Sequence, residues 1–168
     1  MGKNLLNCKL KVYCFENAMW ILNLGMMKLS DYIIKRNGVP MGAKYSMRNM
    51  LYRSLGAGNF PTFWKYWNPI FSYYLGKKVF KPLKHFLPSS LSLLLTFVFC
   101  GALHDAVTIL VRRDLSFLFT PWFLFMGIGV VISNYAHLDY SKFSWVIRAV
   151  INILIIGSCL YLALQIRL

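Results

Sequence analysis

Residues 91–111 read LSLLLTFVFCGALHDAVTILV, a run in which His104 and Asp105 are the only ionisable side chains besides Cys100. At ~1.5 Å rise per residue, a helix of this length reaches ~30 Å, the thickness of a bilayer's hydrocarbon core. The stretch therefore predicts a transmembrane helix. A carboxylate placed centrally in such a span costs roughly 2.5–3.5 kcal/mol on insertion scales, so polar residues there normally face protein or a wet cavity. An imidazole beside a carboxylate in these surroundings makes His104 the first candidate for function.

The composition of the whole chain agrees with this reading. Of 168 residues, 58% are hydrophobic, and the mean hydropathy is positive, which places the sequence with membrane proteins before any segment is considered. The net charge of +14 fits basic loops held near anionic headgroups. No RNA- or DNA-binding motif accompanies the charge, so nucleic acid is not an expected partner. Cys8, Cys14, Cys100 and Cys159 have no zinc-type spacing, and Cys100 and Cys159, inside apolar runs, read as buried small hydrophobes. The polar, basic start MGKNLLNCKLK predicts no cleaved signal peptide, and Leu6 departs from the myristoylation pattern.

Working outward, residues 12–29 are apolar but interrupted by Glu16, Asn17 and Asn23, which predicts a short membrane or interfacial helix. Turns are expected at Gly38-Val39-Pro40 and Gly56-Ala57-Gly58-Asn59. Residues 60–80 mix aromatics with Lys65, Lys77 and Lys78, a pattern suited to helices lying in the headgroup layer. Pro61 and Asn59 suit a helix start, and Pro69 predicts a break at Asn68. After 91–111, further spans are expected at 115–133 and 145–165, joined by a tight link at Arg112-Arg113-Asp114 and a polar one at 134–144. Ten lysines and arginines fall in 31–88, which predicts that this region is cytoplasmic. The expectation is an all-α, multi-pass integral membrane bundle forming a single domain over 1–168, with three transmembrane helices, a short N-terminal helix and an interfacial aromatic-rich segment.

The block Phe63-Trp64-Lys65-Tyr66-Trp67-Asn68-Pro69, the basic-aromatic stretch Tyr73-Tyr74-Leu75-Gly76-Lys77-Lys78-Val79-Phe80-Lys81-Pro82-Leu83 and then Gly101-Ala102-Leu103-His104-Asp105 resemble the membrane-bound O-acyltransferase superfamily. Two apolar segments follow, in keeping with the order of that family's blocks. The resemblance covers only the C-terminal half of the family pattern. It implies an acyltransferase for groups other than aminoacyl, with His104 matching the catalytic histidine and Asn68 the second, more variable polar residue. It further implies a thioester co-substrate, acyl-CoA or an acyl carrier, with no bound cofactor, and slightly favours a lipid-like acceptor because Asn rather than His stands at position 68. On the same basis, a partner chain is expected to supply the missing N-terminal helices.

The residues themselves leave alternatives open. An imidazole suits the removal of a hydroxyl proton because its unperturbed pKa is near 6.5, yet a buried histidine is also satisfied by an ordinary neighbour. Gly101 lies on the same helix side as His104 and is expected to leave room for a substrate chain. Asp105, about 100° round the helix, reads as structural, pairing with Arg112, Arg113 or a cation elsewhere. Asn68 reads equally as a donor to a reacting carbonyl or as a cap before Pro69. Trp64 and Trp67 are interface anchors or substrate contacts, and Lys65, Lys77, Lys78, Lys81 and Lys84 follow the inside-positive bias, hold anionic lipid or attract coenzyme A phosphates. A metal site from His104, Asp105, His137 and Asp139 has no supporting spacing, and none is expected. Two other classes stand beside the enzyme: a non-catalytic relative or small subunit binding lipid or a partner chain, and a transporter using His104 as a proton relay. No paired broken half-helices support the transporter.

Overall fold

A computed structural model describes residues 27–166 with the exception of 114 and 116. Every regular element among the described residues is helical. The expected helix at 12–29 lies outside the described residues except for its last positions, where α1 begins. In chain order these are α1 (Leu29–Asn37), α2 (Ser46–Leu55), α3 (Phe60–Tyr66), α4 (Pro69–Leu75), a π-helical segment (Gly76–Phe80), α5 (Lys81–Lys84), α6 (Ser89–Arg112), α7 (Phe119–Tyr135) and α8 (Trp145–Ile166).

Local chemistry sets the boundaries. Asp31 sits in the first turn of α1 and Lys35 and Arg36 in its last, each opposing the helix dipole favourably. Gly38 then takes φ +82°, and its N–H closes on the Ile34 carbonyl at 2.8 Å, the left-handed stop that glycine adopts most easily. At the head of α3, the Asn59 side chain accepts from the Thr62 N–H at 2.8 Å, and Pro61 occupies the first turn, where its missing N–H costs nothing. The α3–α4 break falls at Asn68, which takes φ +40° ahead of Pro69. Pro88 precedes α6 in extended geometry, and Arg113 ends it at φ +55°.

The long helices α6, α7 and α8 pack in sequence, α7 touching both of the others. The buried face of α7 is largely apolar, with Phe123, Met126 and Val130, whereas on α6 and α8 the buried residues are mostly small or polar and the open faces are greasy. On α6, Ser92, Thr96, Phe97, Cys100, Gly101 and Asp105 point inward, while Leu91, Leu95, Phe99, Leu103, Val107 and Leu110 are exposed. The same inversion holds on α8, with Ala149, Asn152, Cys159 and Ala163 inside and Val146, Ile147, Val150, Ile153 and Leu154 outside. Ser92 and Thr96 satisfy their hydroxyls on the Pro88 and Ser92 carbonyls at 3.0 and 2.7 Å, so the helix carries them without a partner. Cys100 and Cys159 are free and buried.

Among the described residues, two helices, α6 and α8, are long and apolar enough to cross a membrane. The run expected as a span at 115–133 gives a shorter apolar helix, α7. The second apolar run begins its helix at Phe119 instead of 115, leaving α7 with 17 residues, about 25 Å. The cause lies on α6: the Asp105 carboxylate takes up the N–H groups of Leu118, Phe119 and Thr120 and so fixes where the helix starts.

The aromatic block is helical and packs many of its rings within the chain. Residues 60–80 form α3, α4 and the π-helical segment, and several of their rings turn into the core. Phe60 and Phe63 are 0% and 2% exposed. Phe60 lies against Gly129, Trp64 against Phe97 and Phe123, and Phe71 against His104. From α3 to α4 the chain thus runs alongside α7 in the opposite direction, from the end near Gly129 towards its start. A surface-lying amphipathic helix would have kept these rings outward. Here the core between α6 and α7 claims them, because each large buried ring stabilises by about 1.5–3 kcal/mol. A smaller cluster pairs Tyr32 of α1 with Tyr73 of α4 at 5.4 Å, and the Tyr73 hydroxyl donates to the Met27 carbonyl at 3.0 Å.

A buried polar knot ties α2 and α3 to α8. Asn152, fully buried, donates to the Leu55 and Ala57 carbonyls at 2.9 and 3.1 Å and accepts from the Tyr140 hydroxyl at 2.6 Å. Nearby, the Trp145 indole N–H donates to the Tyr52 carbonyl at 3.0 Å. A side chain at Gly58 would stand 2.7 Å from Ser141, so only glycine allows this closeness without movement.

Candidate active site around His104

His104 lies on the fifth turn of α6, ~22 Å along the helix from Ser89. Its Nδ1 is 2.8 Å from the Cys100 carbonyl oxygen one turn earlier. A carbonyl oxygen only accepts, so Nδ1 carries the proton, and in the neutral ring the lone pair stays on Nε2. Cys100 contributes a second, softer contact, its sulfur 4.0 Å from the same nitrogen.

Three phenyl rings surround the imidazole. Phe123 stacks on it at 5.0 Å, Phe119 lies tilted at 5.5 Å, and Phe71 stands edge-on at 5.9 Å. Phe119 and Phe123 are one helical turn apart on α7, so one face of that helix presents both. Phe71 comes from α4 and reaches the site only because the aromatic block runs alongside α7. The ring is half-buried. Phenyl faces this close attract a cation, a favourable setting for an imidazolium formed in passing.

Asp105 turns away from this cluster. Its carboxylate, 1% exposed, accepts from the N–H groups of Leu118 and Phe119 at 3.0 and 2.8 Å and from the Thr120 N–H and hydroxyl at 2.8 and 2.6 Å. The charge therefore sits at the positive end of α7, where unpaired N–H groups and the helix dipole both favour an anion. The ion pair with Arg112, Arg113 or another cation, expected from sequence, is replaced by this interhelical cap.

Gly101 is corrected as well. A Cβ there would meet the Phe119 carbonyl oxygen and the Thr120 Cα at 2.7 Å, so the space beside it is filled by the backbone of α7. Its lack of a side chain lets two helices approach closely, and it leaves no room for a substrate chain. The closeness has a use: it brings the start of α7 within reach of Asp105 one turn on.

Asn68 and His104 are brought near a common residue without touching. The Asn68 Oδ1 accepts the Phe71 N–H at 3.2 Å, and it is the Phe71 ring that meets His104. Asn68 is exposed, so its amide NH₂ group faces outward. Of the residues predicted to bind substrate, Trp64 sits inside the core, edge-on to Phe97 at 5.0 Å, with a buried indole N–H that has no hydrogen-bond partner. Trp67 stacks on Phe63 at 5.5 Å, and Lys65 is half-buried. Neither tryptophan touches His104, but Trp64 shares Phe123 with it. Phe71, Phe119 and Phe123 were not singled out from sequence. The four-residue spacing of Phe119 and Phe123 was the available signal, obscured by the many aromatics around it.

Among the described residues, no group of three or more His, Cys, Asp or Glu side chains is placed to hold a metal ion. Set against family models, curated proteins and solved structures, the chain matches none of them.

Proposed function

We propose that this chain is a multi-pass membrane protein of the O-acyltransferase type, which transfers an acyl group from a thioester to a hydroxyl acceptor with His104 as the general base. The observation that carries the reading is the 2.8 Å contact of His104 Nδ1 with the Cys100 carbonyl, which leaves Nε2 as the basic nitrogen. The resemblance of Phe63–Pro69 and Gly101–Asp105 to the family's blocks gives that base its task. Membrane insertion is supported by the two long apolar helices and by the greasy open faces of α6 and α8, which water would oppose and lipid accepts.

In the proposed step, Nε2 takes the acceptor's hydroxyl proton as its oxygen attacks the thioester carbonyl carbon. The tetrahedral intermediate then expels the thiolate, which takes the proton back from the imidazolium. The C–O bond replaces the C–S bond, and the base is regenerated. While charged, the ring is stacked on Phe123, whose face stabilises a cation. Asn68 holds Phe71 in place through its Oδ1, and its outward NH₂ is the group available to the developing oxyanion. The basic stretch from Lys77 to Lys84 suits an anionic donor such as acyl-CoA on the cytoplasmic side, and a lipid alcohol is the favoured acceptor.

A second reading is favoured by one observation. The i, i+4 stripe of Leu91, Leu95, Phe99, Leu103 and Val107 is also what a small subunit would present to the helices of a partner chain. The two readings part in membranes given a labelled acyl thioester. With His104 as base, His104→Ala lowers transfer at least about 100-fold while the chain stays membrane-bound. Equal transfer by both forms would favour the non-catalytic subunit. Activity only when a second chain is co-expressed would make this half of a split enzyme.

A further inference from the structure

Away from His104, a cleft of about 290 Å³ opens where α2 and α3 meet the start of α8, lined by Tyr52, Arg53, Ala57, Tyr66, Trp145 and Arg148 with Gly56 at its floor. Among the described residues, no carboxylate lines it. Arg148 is half-buried, and its Nε is buried with no hydrogen-bond partner among the described residues. Desolvating part of a guanidinium without an acceptor is costly, so the arrangement calls for an anion. Arg53, on the same cleft, donates one guanidinium N–H to the Arg36 carbonyl at 3.0 Å. The walls are held rigid from several sides. Tyr52 stacks on Trp145 at 5.2 Å, the Trp145 indole donates to the Tyr52 carbonyl, and Gly56 lies directly under the Trp145 ring.

We infer that this cleft binds the phosphate of an anionic lipid headgroup. Two guanidinium groups match phosphate oxygens by geometry as well as charge. The lipid source follows from position. The cleft sits at Trp145, the first residue of a helix long enough to cross a bilayer, and indole rings favour the headgroup layer. From its rim, Val146, Ile147, Val150, Ile153 and Leu154 form an exposed apolar face along α8 on which acyl chains can lie. A free phosphate ion would have no use for that face. The site is independent of the acyl-transfer reading, because none of its residues touches His104.

The test uses the whole chain purified in detergent, with phosphatidylglycerol as probe and retained lipid counted by native mass spectrometry. One phosphatidylglycerol is expected to bind saturably, about ten-fold more weakly in Arg148→Gln and at intermediate strength in Arg148→Lys. Lys35→Gln, an equal loss of charge at an exposed site on α1, is expected to change binding less than two-fold. If Arg148→Gln does not fold, Arg53→Gln at the exposed wall carries the same expectation. Equal weakening by Arg148→Gln and Lys35→Gln would overturn the site, since only net charge would then be at work. Full displacement of the lipid by an equal concentration of inorganic phosphate would overturn the lipid assignment.

Discussion

His104 and Asp105 are neighbours in sequence, and the 100° step of the helix gives them different surroundings. The first looks into a cluster of phenyl rings. The second reaches across to the start of α7. Sequence singled out both as out of keeping with an apolar span, and that much follows from the cost of burying them. Their tasks were less legible, because the partners of Asp105 are backbone N–H groups 13 to 15 residues further on, which no side-chain pattern advertises. Asp105→Ala leaves those donors unpaired, and we expect a loss of about 2–3 kcal/mol, read as a lower thermal midpoint in detergent. Asp105→Asn keeps one acceptor oxygen and is expected to lose less. Equal midpoints for wild type and Asp105→Ala would remove the cap from the account. Gly101→Val places a branched side chain where the α7 backbone already stands, so we expect poor recovery of monodisperse protein, checked by size-exclusion chromatography.

At the scale of elements, the helix breaks were written plainly in sequence at Asn59, at Asn68-Pro69 and at Gly38, where caps and special dihedrals act over a few residues. The direction taken by the aromatic block was not. Its composition is that of an interfacial helix, and only the space between α6 and α7 turns Phe60, Phe63 and Phe71 inward. The Asn152 knot was hidden for a similar reason, since its partners Leu55, Ala57 and Tyr140 are distant or unremarkable in sequence. This knot predicts a pH effect. Burial pushes the Tyr140 phenol up to about 12, whereas an unfolded tyrosine ionises near 10. The resulting stability is fully present below pH 10 and is lost as the pH rises towards 12, because the unfolded chain gives up its proton first. Thermal midpoints measured from pH 9 to 11.5 should fall more steeply for wild type than for Tyr140→Phe. Parallel slopes would show that Tyr140 is not responsible.

For the molecule as a whole, composition alone indicated a membrane protein, and the inverted faces of α6 and α8 give that indication a structural form. Small and polar residues pack inward while leucine, valine and isoleucine face out, the reverse of a water-soluble bundle. An alkaline carbonate wash should therefore leave the chain in the membrane pellet. Recovery in the supernatant would contradict insertion. The apolar run expected as a span at 115–133 is helical from Phe119, where Asp105 holds the N–H groups of Leu118, Phe119 and Thr120.

The base assigned to His104 is tested most directly by following thiol release from an acyl thioester. The whole chain would be placed in lipid nanodiscs, alone and with any co-purifying partner, with and without an alcohol acceptor. Wild type is expected to release thiol in an alcohol-dependent manner, and His104→Gln at least about 100-fold more slowly at unchanged thermal midpoint. The same alcohol-dependent rate from both proteins would contradict that assignment.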